Sequence, residues 1–354
     1  MNKIYSLLTM ALLVMSIAPV LAVSTGGDLT PDINTEDFAP MVWACDHRCV
    51  VDDATEPGRV SDDGQFLVER LGNYAFEGEQ IKWTVLVMDK NGAEKIKDVF
   101  ATVGDVQGSN PEGIEVNCQR STRTGIMDSC NARIDEEKIT QFDSNTMAYY
   151  ECTLTVETPE SMYGEFWTTV EAVDMDELSG TMDENEYWFL NPIIALNIDG
   201  ELAFENVRPG TSSYSDTILV GNDADSSSGV ILDMFISGTD FYDSSSSGAM
   251  CPTTNQLSLD AFRYFATQGA YSTRMDGRSD AEGYVPIEYG VGFNDPNPFY
   301  NNNEIMQVAK SGPYYMANTI SPGAEMALTF RLNLPEPCNG DFDTGKISFW
   351  GEAI

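Results

Sequence analysis

Alternation of apolar and polar residues is the most frequent pattern along this chain. Residues 79–92, EQIKWTVLVMDKNG, place Ile81, Trp83, Val85 and Val87 on one side of an extended segment and then end in a Lys-Asn-Gly turn. A period of two that is bounded by a turn predicts a β-strand with one face in a core.

Similar runs continue to the end of the chain, and they are rich in the β-branched and aromatic residues typical of strands. These runs lie at residues 98–104, 148–159, 165–174, 184–192, 193–204, 216–223, 229–241, 325–335 and 346–353. Residues 257–269 allow a helix, but the uneven spacing of Leu259, Phe262 and Phe265 favours a strand. Because turn residues fill the gaps and strands do not alternate with helices, we expect an all-β protein. The expected architecture is two antiparallel β-sandwich domains in tandem, Ig-like or jelly-roll-like.

The N-terminus has the three parts of a secretory signal peptide within residues 1–22. Lys3 is followed by an apolar run and by the small residues of Val20-Leu-Ala22. An uncleaved membrane anchor is the alternative, but the apolar run is shorter than the roughly 20 residues that a span needs. Residues 23–40 are polar, contain two prolines and are predicted to be a flexible leader.

A domain boundary is expected at Asn191-Pro192, where an acidic loop has ended and a new series of strands begins. This boundary places the first sandwich in residues 41–191 and the second in residues 192–354.

Two Pro-Gly pairs, Pro209-Gly210 and Pro322-Gly323, each come directly before an alternating strand. Proline sets φ at one central position of a type II turn, and glycine accepts the positive φ at the next. The repeated order of turn and strand therefore indicates the connections of a β-sandwich.

The order of Pro-Gly turn, strand, Gly-Asn and second strand resembles the immunoglobulin-like modules of secreted archaeal and bacterial surface proteins. More loosely, it is similar to camelysin and TasA-type biofilm-fibre proteins, in which a G-x-I-x-F strand ends the module, here Gly345, Ile347 and Phe349. The resemblance covers residues 193–354. It implies a sandwich fold and a structural or adhesive role, with a filament as one form of that role.

The charge of the chain narrows the choice of partners. Acidic residues outnumber basic ones by 56 to 19, so the net charge is −37, or −38 after loss of residues 1–22 with Lys3. Nucleic acids and anionic membranes carry the same sign and are disfavoured as partners. The acidic excess fits a soluble extracellular protein that binds cations, and simple solvation of a β surface is the alternative.

Cysteine usage supports an extracellular location, because exported cysteines form disulfides. Cys251 and Cys338 are the two cysteines of the C-terminal half, and we predict that they pair. The remaining cysteines are odd in number, so one is left over and their pairing is open: Cys45, Cys49, Cys118, Cys130 and Cys152. A zinc site is disfavoured, because only His47 could join the thiolates.

Catalytic templates are scarce in this sequence. His47 is the single histidine, which disfavours Ser-His-Asp and Cys-His arrangements. The chain has no G-x-S-x-G, H-E-x-x-H, dinucleotide-binding or Walker motif. A glycosidase needs only two carboxylates, but no pair stands out. We therefore expect a protein that is not an enzyme and that needs no cofactor unless it binds calcium.

Calcium is the metal that the acidic loops would suit, because it takes six to eight oxygen ligands in irregular geometry. The loop at 174–186 offers six carboxylates: Asp174, Asp176, Glu177, Asp183, Glu184 and Glu186. The spacing is not that of an EF-hand, and a solvated acidic loop is the alternative.

Residues 292–318 combine amides, prolines and aromatic side chains. The aromatic residues are Phe293, Phe299, Tyr300, Tyr314 and Tyr315. Such side chains stack on sugar rings or contact proteins. A long loop folded over its own sandwich is the interpretation favoured by the sequence.

These observations predict a secreted, cell-surface structural or adhesive protein, with a filament or envelope layer as one form of its assembly. Its partners are expected to be itself, other cell-envelope proteins or glycans. Residues 23–40 are a candidate for strand donation to a neighbouring sheet edge. The alternative is an extracellular carbohydrate-binding module that uses residues 292–318.

Overall fold

The computed structural model describes most of the chain. The described residues are 30–51, 67–69, 72–108, 113–131, 139–182, 186–245, 248–290, 303–312 and 314–354, without the side chains of 46–49, 51, 67–69 and 131. The signal peptide predicted for 1–22 and the leader up to residue 29 lie outside the described residues, so both remain predictions.

The chain divides into two compact units, Met1–Asp37 and Phe38–Ile354. In the first unit, the described residues 30–37 have no regular secondary structure and are exposed. The second unit holds the strands and the helices that follow.

The second unit is built almost entirely from β-strands, which confirms the all-β prediction. The strands are β1 (Met41–Val51), β2 (Leu67–Glu69), β3 (Tyr74–Ala75), β4 (Gln80–Met88), β5 (Ile96–Gly104), β6 (Ile114–Asn117), β7 (Gln119–Arg120), β8 (Met147–Thr155), β9 (Gly164–Asp174), β10 (Ser179–Thr181), β11 (Glu186–Leu190), β12 (Leu196–Asp199), β13 (Ser212–Asn222), β14 (Leu232–Gly238), β15 (Phe241–Tyr242), β16 (Gln256–Leu257), β17 (Phe262–Gln268), β18 (Tyr271–Ser272), β19 (Val285–Pro286), β20 (Lys310–Ser311), β21 (Tyr314–Tyr315), β22 (Thr319–Ile320), β23 (Glu325–Asn333) and β24 (Ile347–Ala353). The helices are α1 (Asp128–Asn131) and the 3-10 helices Leu259–Ala261, Thr273–Met275 and Met316–Asn318.

The first sandwich consists of two sheets that face each other. Sheet A has the order β2-β1-β4-β8-β7, and sheet B has the order β3-β11-β9-β5-β6, with β10 beside β9. The strands pair antiparallel except for β3 and β11, which are parallel. The alternating residues of β4, Ile81, Trp83, Val85 and Val87, lie in the core between the two sheets.

Sheet A is also covered on its outer face. Leu86 and Met88 of β4 pack there with Tyr149 and with the disulfide of Cys45 and Cys130. This second core explains why β4 is buried almost throughout instead of on alternate residues only.

The second sandwich uses sheet C, with the order β12-β13-β23-β17-β18 and β19 beside β17, and sheet D, with the order β22-β14-β24. Ile218, Val220, Leu328 and Phe330 of sheet C pack against Leu232 and its neighbours in sheet D. Strand β14 is buried along its whole length.

The strands of the two halves pair only within their own half among the described residues, with β11 as the last strand of the first half. Side chains cross the boundary, because Tyr74 and Phe189 belong to the core cluster of the second sandwich. The division into domains at 191 and 192 remains a prediction.

Both Pro-Gly pairs form the predicted turns. The N–H of Thr211 donates to the carbonyl of Arg208 at 3.2 Å, and the N–H of Ala324 donates to the carbonyl of Ser321 at 2.9 Å. Gly210 and Gly323 both have φ of 75°, as the third position of a type II turn requires.

Two expectations about element positions need correction. The run at 193–204 yields only the four-residue β12, because its exposed residues find a partner in β13 only between Leu219 and Asn222. The run at 257–269 begins with a 3-10 turn capped by Ser258, and it becomes strand β17 only from Phe262.

No helix among the described residues is both long and apolar enough to cross a membrane.

Candidate binding sites

A cleft of about 690 Å³ opens on the second sandwich. Four phenylalanines from separate parts of the chain line it: Phe204, Phe241, Phe262 and Phe342. Phe262 is central among them, because its ring lies 5.9 Å from that of Phe204 and 4.7 Å from that of Phe241. The partly buried rings of Phe204 and Phe241 thus pack on the buried ring of Phe262 at the cleft wall.

The wall formed by residues 202–209 is held by the first Pro-Gly turn. The N–H of Gly210 donates to the carbonyl of Leu334 at 3.0 Å, and the N–H of Leu334 donates to Thr211 at 3.1 Å. These bonds fix the segment beside the end of β23.

The opposite wall is held by the disulfide of Cys251 and Cys338. Met250 and Asn339 exchange two backbone hydrogen bonds of 2.8 Å next to it. The N–H of Asp341 donates to the carboxylate of Asp243 at 2.9 Å. The loop that carries Phe342 is thus tied to the strand region before β16.

Asp240 anchors the same region. Its carboxylate accepts hydrogen bonds from the Tyr289 hydroxyl at 2.5 Å and from the Leu259 N–H at 2.9 Å. Burial opposes ionisation, but these hydrogen bonds outweigh it and lower the pKa of Asp240. An ionised Asp240 therefore holds Phe241 in place against the cleft.

The polar groups of the cleft suit binding. Its polar lining consists of Glu205, Asn206, Asn339 and Asp341, and the described lining contains no serine, threonine, histidine, lysine or arginine. Cys338 is oxidised and supplies no thiolate. The cleft fits a ligand with an apolar face and hydroxyl or amide groups at its edge.

The second candidate site is the edge of β24 that has no paired strand among the described residues. This strand is the outermost strand of sheet D, and it pairs with β14 on its other side. The N–H of Ile354 donates to Ile231, and the N–H of Thr239 donates to Lys346, so the even-numbered residues of this strand form the ladder with β14. The backbone groups of the odd-numbered residues Ile347, Phe349, Gly351 and Ala353 consequently point away from the sheet.

Strand β24 differs from the other sheet edges in length. It has seven residues, whereas the edge strands β2, β3, β6, β7, β12, β18 and β22 of the four sheets have four or fewer. Short edge strands limit unwanted pairing, and a long one is a template for another strand. Ile347, Phe349 and Ala353 pack on the core only in part, so a further strand would cover them.

The predicted calcium loop is only partly described. Asp174 ends β9, and its Oδ1 accepts the N–H groups of Asp176 and Leu178 at 2.9 and 2.8 Å. Asp176 and Glu177 pair with lysines at 3.4 and 2.7 Å. Glu186 is buried at the start of β11.

Asp183 and Glu184 lie outside the described residues. Among the residues that are described, no group of three His, Cys, Asp or Glu side chains is arranged to hold a metal. The calcium site at 174–186 therefore remains a prediction.

The aromatic segment 292–318 is also described only in part. Tyr314 and Tyr315 form the short strand β21 and are half-buried, whereas Phe293, Phe299 and Tyr300 lie outside the described residues. Ile305, Met306, Val308 and Ala317 are buried in the core of the second sandwich. This part of the segment therefore contributes to the core of the second sandwich.

Six of the seven cysteines form three disulfides: Cys45–Cys130, Cys118–Cys152 and Cys251–Cys338. The last is the pair expected within the C-terminal half. The side chains of Cys49 and His47 are outside those described.

Comparison with known proteins identifies neither a family nor a function for this chain. No protein-family model matches the chain, and no curated protein matches it. A solved DUF4785 family protein from Legionella pneumophila is 9% identical with a TM-score of 0.25 and covers 83% of this chain, which spans 52% of that protein.

The C-terminal domain of the Streptococcus agalactiae AgI/II polypeptide BspA is 8% identical, with a TM-score of 0.28 over 89% of this chain and 97% of that one. A chaperone–tip adhesin complex of CFA/I fimbriae is 9% identical, with a TM-score of 0.23 over 91% and 87% of the two chains. Likenesses this weak transfer neither fold nor function to this chain. The resemblance to TasA-type and camelysin fibres remains a prediction.

Both candidate sites were missed by the sequence analysis. The four phenylalanines of the cleft come from β15, β17 and two loops, and no local pattern joins them. The closing strand was recognised, but its place at a sheet edge depends on pairing with residues more than a hundred positions away. Its high content of apolar residues next to Gly345 was the one available signal.

Proposed function

We propose that this protein is a secreted cell-surface structural or adhesive protein that associates with a second copy of itself through β24. The observation that carries the proposal is the length of β24, which has seven residues, whereas the other edge strands of the four described sheets have four or fewer. Addition of a strand to an open sheet edge is a common mode of protein recognition, in which main-chain hydrogen bonds supply affinity. The three disulfides support an oxidising, extracellular compartment.

The charges at the ends of β24 favour a second β24 as the occupant. In a two-fold antiparallel pair centred on Phe349, Lys346 of one copy lies opposite the partner's Glu352. The apolar side chains of both strands then continue the core of each sandwich. A filament or envelope layer needs a further, non-symmetric contact, and it remains a prediction.

The test compares two variants, each of which places one positive charge on a different face of β24. Phe349→Lys puts a cation on the core-facing side of the edge, where it blocks a second strand. We expect this variant to remain monomeric at concentrations at which the wild type dimerises. Light scattering after size-exclusion chromatography measures the difference, and circular dichroism checks the fold.

Ser348→Lys is the matched control, because it adds the same charge to the same strand on the opposite face. It should dimerise like the wild type. Self-association should also strengthen with salt, because two chains of net charge −37 repel each other. A wild-type protein that is monomeric at every concentration and salt level overturns the proposal.

Strand donation by residues 23–40 is the competing form of assembly. The described part of that segment, residues 30–37, is exposed and irregular. Deletion of 23–40 abolishes assembly if the segment donates a strand, and it leaves assembly intact if two β24 strands pair.

The second candidate function is carbohydrate binding, which the aromatic cleft favours. Sugar rings stack on aromatic faces, and the amides and carboxylates of the rim suit hydroxyl groups. A glycan array identifies a ligand, and calorimetry then compares variants.

Phe204→Ala should weaken binding of that ligand by about tenfold, because it removes one of the aromatic rings that line the cleft. Tyr314→Ala is the control from the aromatic segment at 292–318. Loss of binding in Tyr314→Ala alone would move the site to that segment, and an array without hits removes this candidate.

A further inference from the structure

Two buried carboxylates lie at the same end of the first sandwich. Asp89 follows β4 in sheet A, and Asp174 ends β9 in sheet B. Asp89 and Asp174 are 0% and 2% exposed. The turn after Asp89 leads directly into β5, whose first residue Ile96 lies opposite Asp174 in the sheet. The backbone therefore places one carboxylate from each sheet at the same end of the sandwich, where the N–H of Met175 also donates to the carbonyl of Lys95 at 2.9 Å.

The hydrogen bonds of this pair are incomplete. Oδ1 of Asp89 accepts the N–H of Asn91 at 2.7 Å. Oδ2 of Asp89 is buried and has no hydrogen-bond partner. A buried carboxylate oxygen without a donor is costly, and native proteins usually supply it with a donor, a water molecule or an ion.

Two lysines near the start of β5 are engaged with other carboxylates. Lys95 pairs with Asp176 at 3.4 Å, and Lys97 pairs with Glu177 at 2.7 Å. Neither Asp89 nor Asp174 forms an ion pair with a lysine or arginine among the described residues.

We propose that Asp89 and Asp174 bind a calcium ion between the two sheets, with backbone carbonyls and water as the remaining ligands. Two carboxylates are few for such a site, and no third acidic side chain joins them among the described residues. A dissociation constant of about 0.1 to 1 mM, the range of extracellular calcium modules, is expected from so low a ligand charge. This site lies beside the predicted loop at 174–186 but depends on Asp89, which is not part of that loop.

The experiment compares melting temperatures of the purified full chain in EDTA and in 10 mM calcium chloride, at an ionic strength matched with sodium chloride. Calcium should raise the melting temperature of the wild type by about 3 to 8 °C. Asp89→Asn should abolish this shift. In EDTA the same variant should melt above the wild type, because the amide removes a buried negative charge.

Two further variants make the result decisive. Asp98→Asn removes an equal charge from the exposed surface of β5 and should keep the full calcium shift. Glu177→Gln tests the acidic loop. The proposal is overturned if the wild type shows no shift, if Asp89→Asn keeps it, or if Glu177→Gln removes it instead. Calorimetry should give one site per chain in the wild type and none in Asp89→Asn.

Discussion

At the residue scale, the buried amide side chain of Asn222 connects separate segments of the second sandwich by hydrogen bonds. Asn222 at the end of β13 is buried, and its Nδ2 donates to the carbonyls of Val230 and Ile320, both at 2.9 Å. Its Oδ1 accepts the N–H of Ala224 at 3.0 Å. One side chain thereby joins sheet C, sheet D and the loop between β13 and β14.

Replacement of Asn222 by alanine should destabilise the second sandwich by about 2 to 4 kcal/mol. The change removes three buried hydrogen bonds, each of which contributes about 1 kcal/mol. Urea denaturation measures the loss. Asn333→Ala is the control, because Asn333 accepts one exposed hydrogen bond from Ser212. A loss below 1 kcal/mol for Asn222→Ala would contradict this account.

At the element scale, the long stretch between β17 and β22 is fixed by a buried ion pair. Nη2 of Arg278 donates to Asp276 at 2.6 Å and to the carbonyl of Glu304 at 2.8 Å. Asp276 also accepts the N–H of Gln307 at 2.9 Å. Tyr264 of β17 donates to the carbonyl of Ile305 at 2.8 Å. These bonds hold Ile305 and its neighbours in the core.

The Asp276–Arg278 pair should make stability depend on pH in a defined direction. Burial opposes ionisation of Asp276, but the hydrogen bonds and charge of Arg278 outweigh it and lower the pKa of Asp276. A carboxyl with a lowered folded pKa stabilises the protein above its unfolded pKa of about 3.9 and loses this effect as pH falls through the folded value. The stability difference between wild type and Asp276→Asn should therefore be constant above about pH 5 and shrink below about pH 4. Urea denaturation between pH 2 and 7 measures it, and a difference that grows on acidification would contradict the pair's role.

Local patterns predicted the strands and turns well, because the information lies in neighbouring residues. The alternation of Ile81, Trp83, Val85 and Val87 gave one face of β4, and the positive φ of Gly210 and Gly323 followed from their place after proline. The second buried face of β4 was not predictable, because it depends on α1 and on the disulfide of Cys45 with Cys130.

The sites were less predictable, because they depend on pairing between distant segments. Whether the closing strand is central or at an edge is decided by the order of sheet D. Asp89 did not stand out among the many acidic residues, and its burial beside Asp174 follows only from the path of β4 and β5 between the sheets. In the acidic loop, the sequence showed how many carboxylates are present. It could not show that Lys95 and Lys97 pair with two of them.

At the scale of the whole molecule, the two sandwich halves of the second unit are coupled. Tyr163 donates to Asp225 at 3.1 Å, and the N–H of Ile193 donates to the same carboxylate at 3.3 Å. The hydroxyl of Tyr74 donates to the carbonyl of Ile354. With Tyr74 and Phe189 in the second core, a change in one half is expected to affect the stability of the other.

The disulfides also determine how the chain would respond to a pulling force at a cell surface. The bridge of Cys251 and Cys338 joins residues 87 positions apart, so tension passes through the bridge and the enclosed segment stays slack. That segment would otherwise extend by about 300 Å at about 3.5 Å per residue. Cys45 and Cys130, 85 positions apart, shield the first sandwich in the same way. Even if both sandwiches unfolded under load, these two bridges would keep about half of the contour length locked, so the extension would be about half that of the reduced chain.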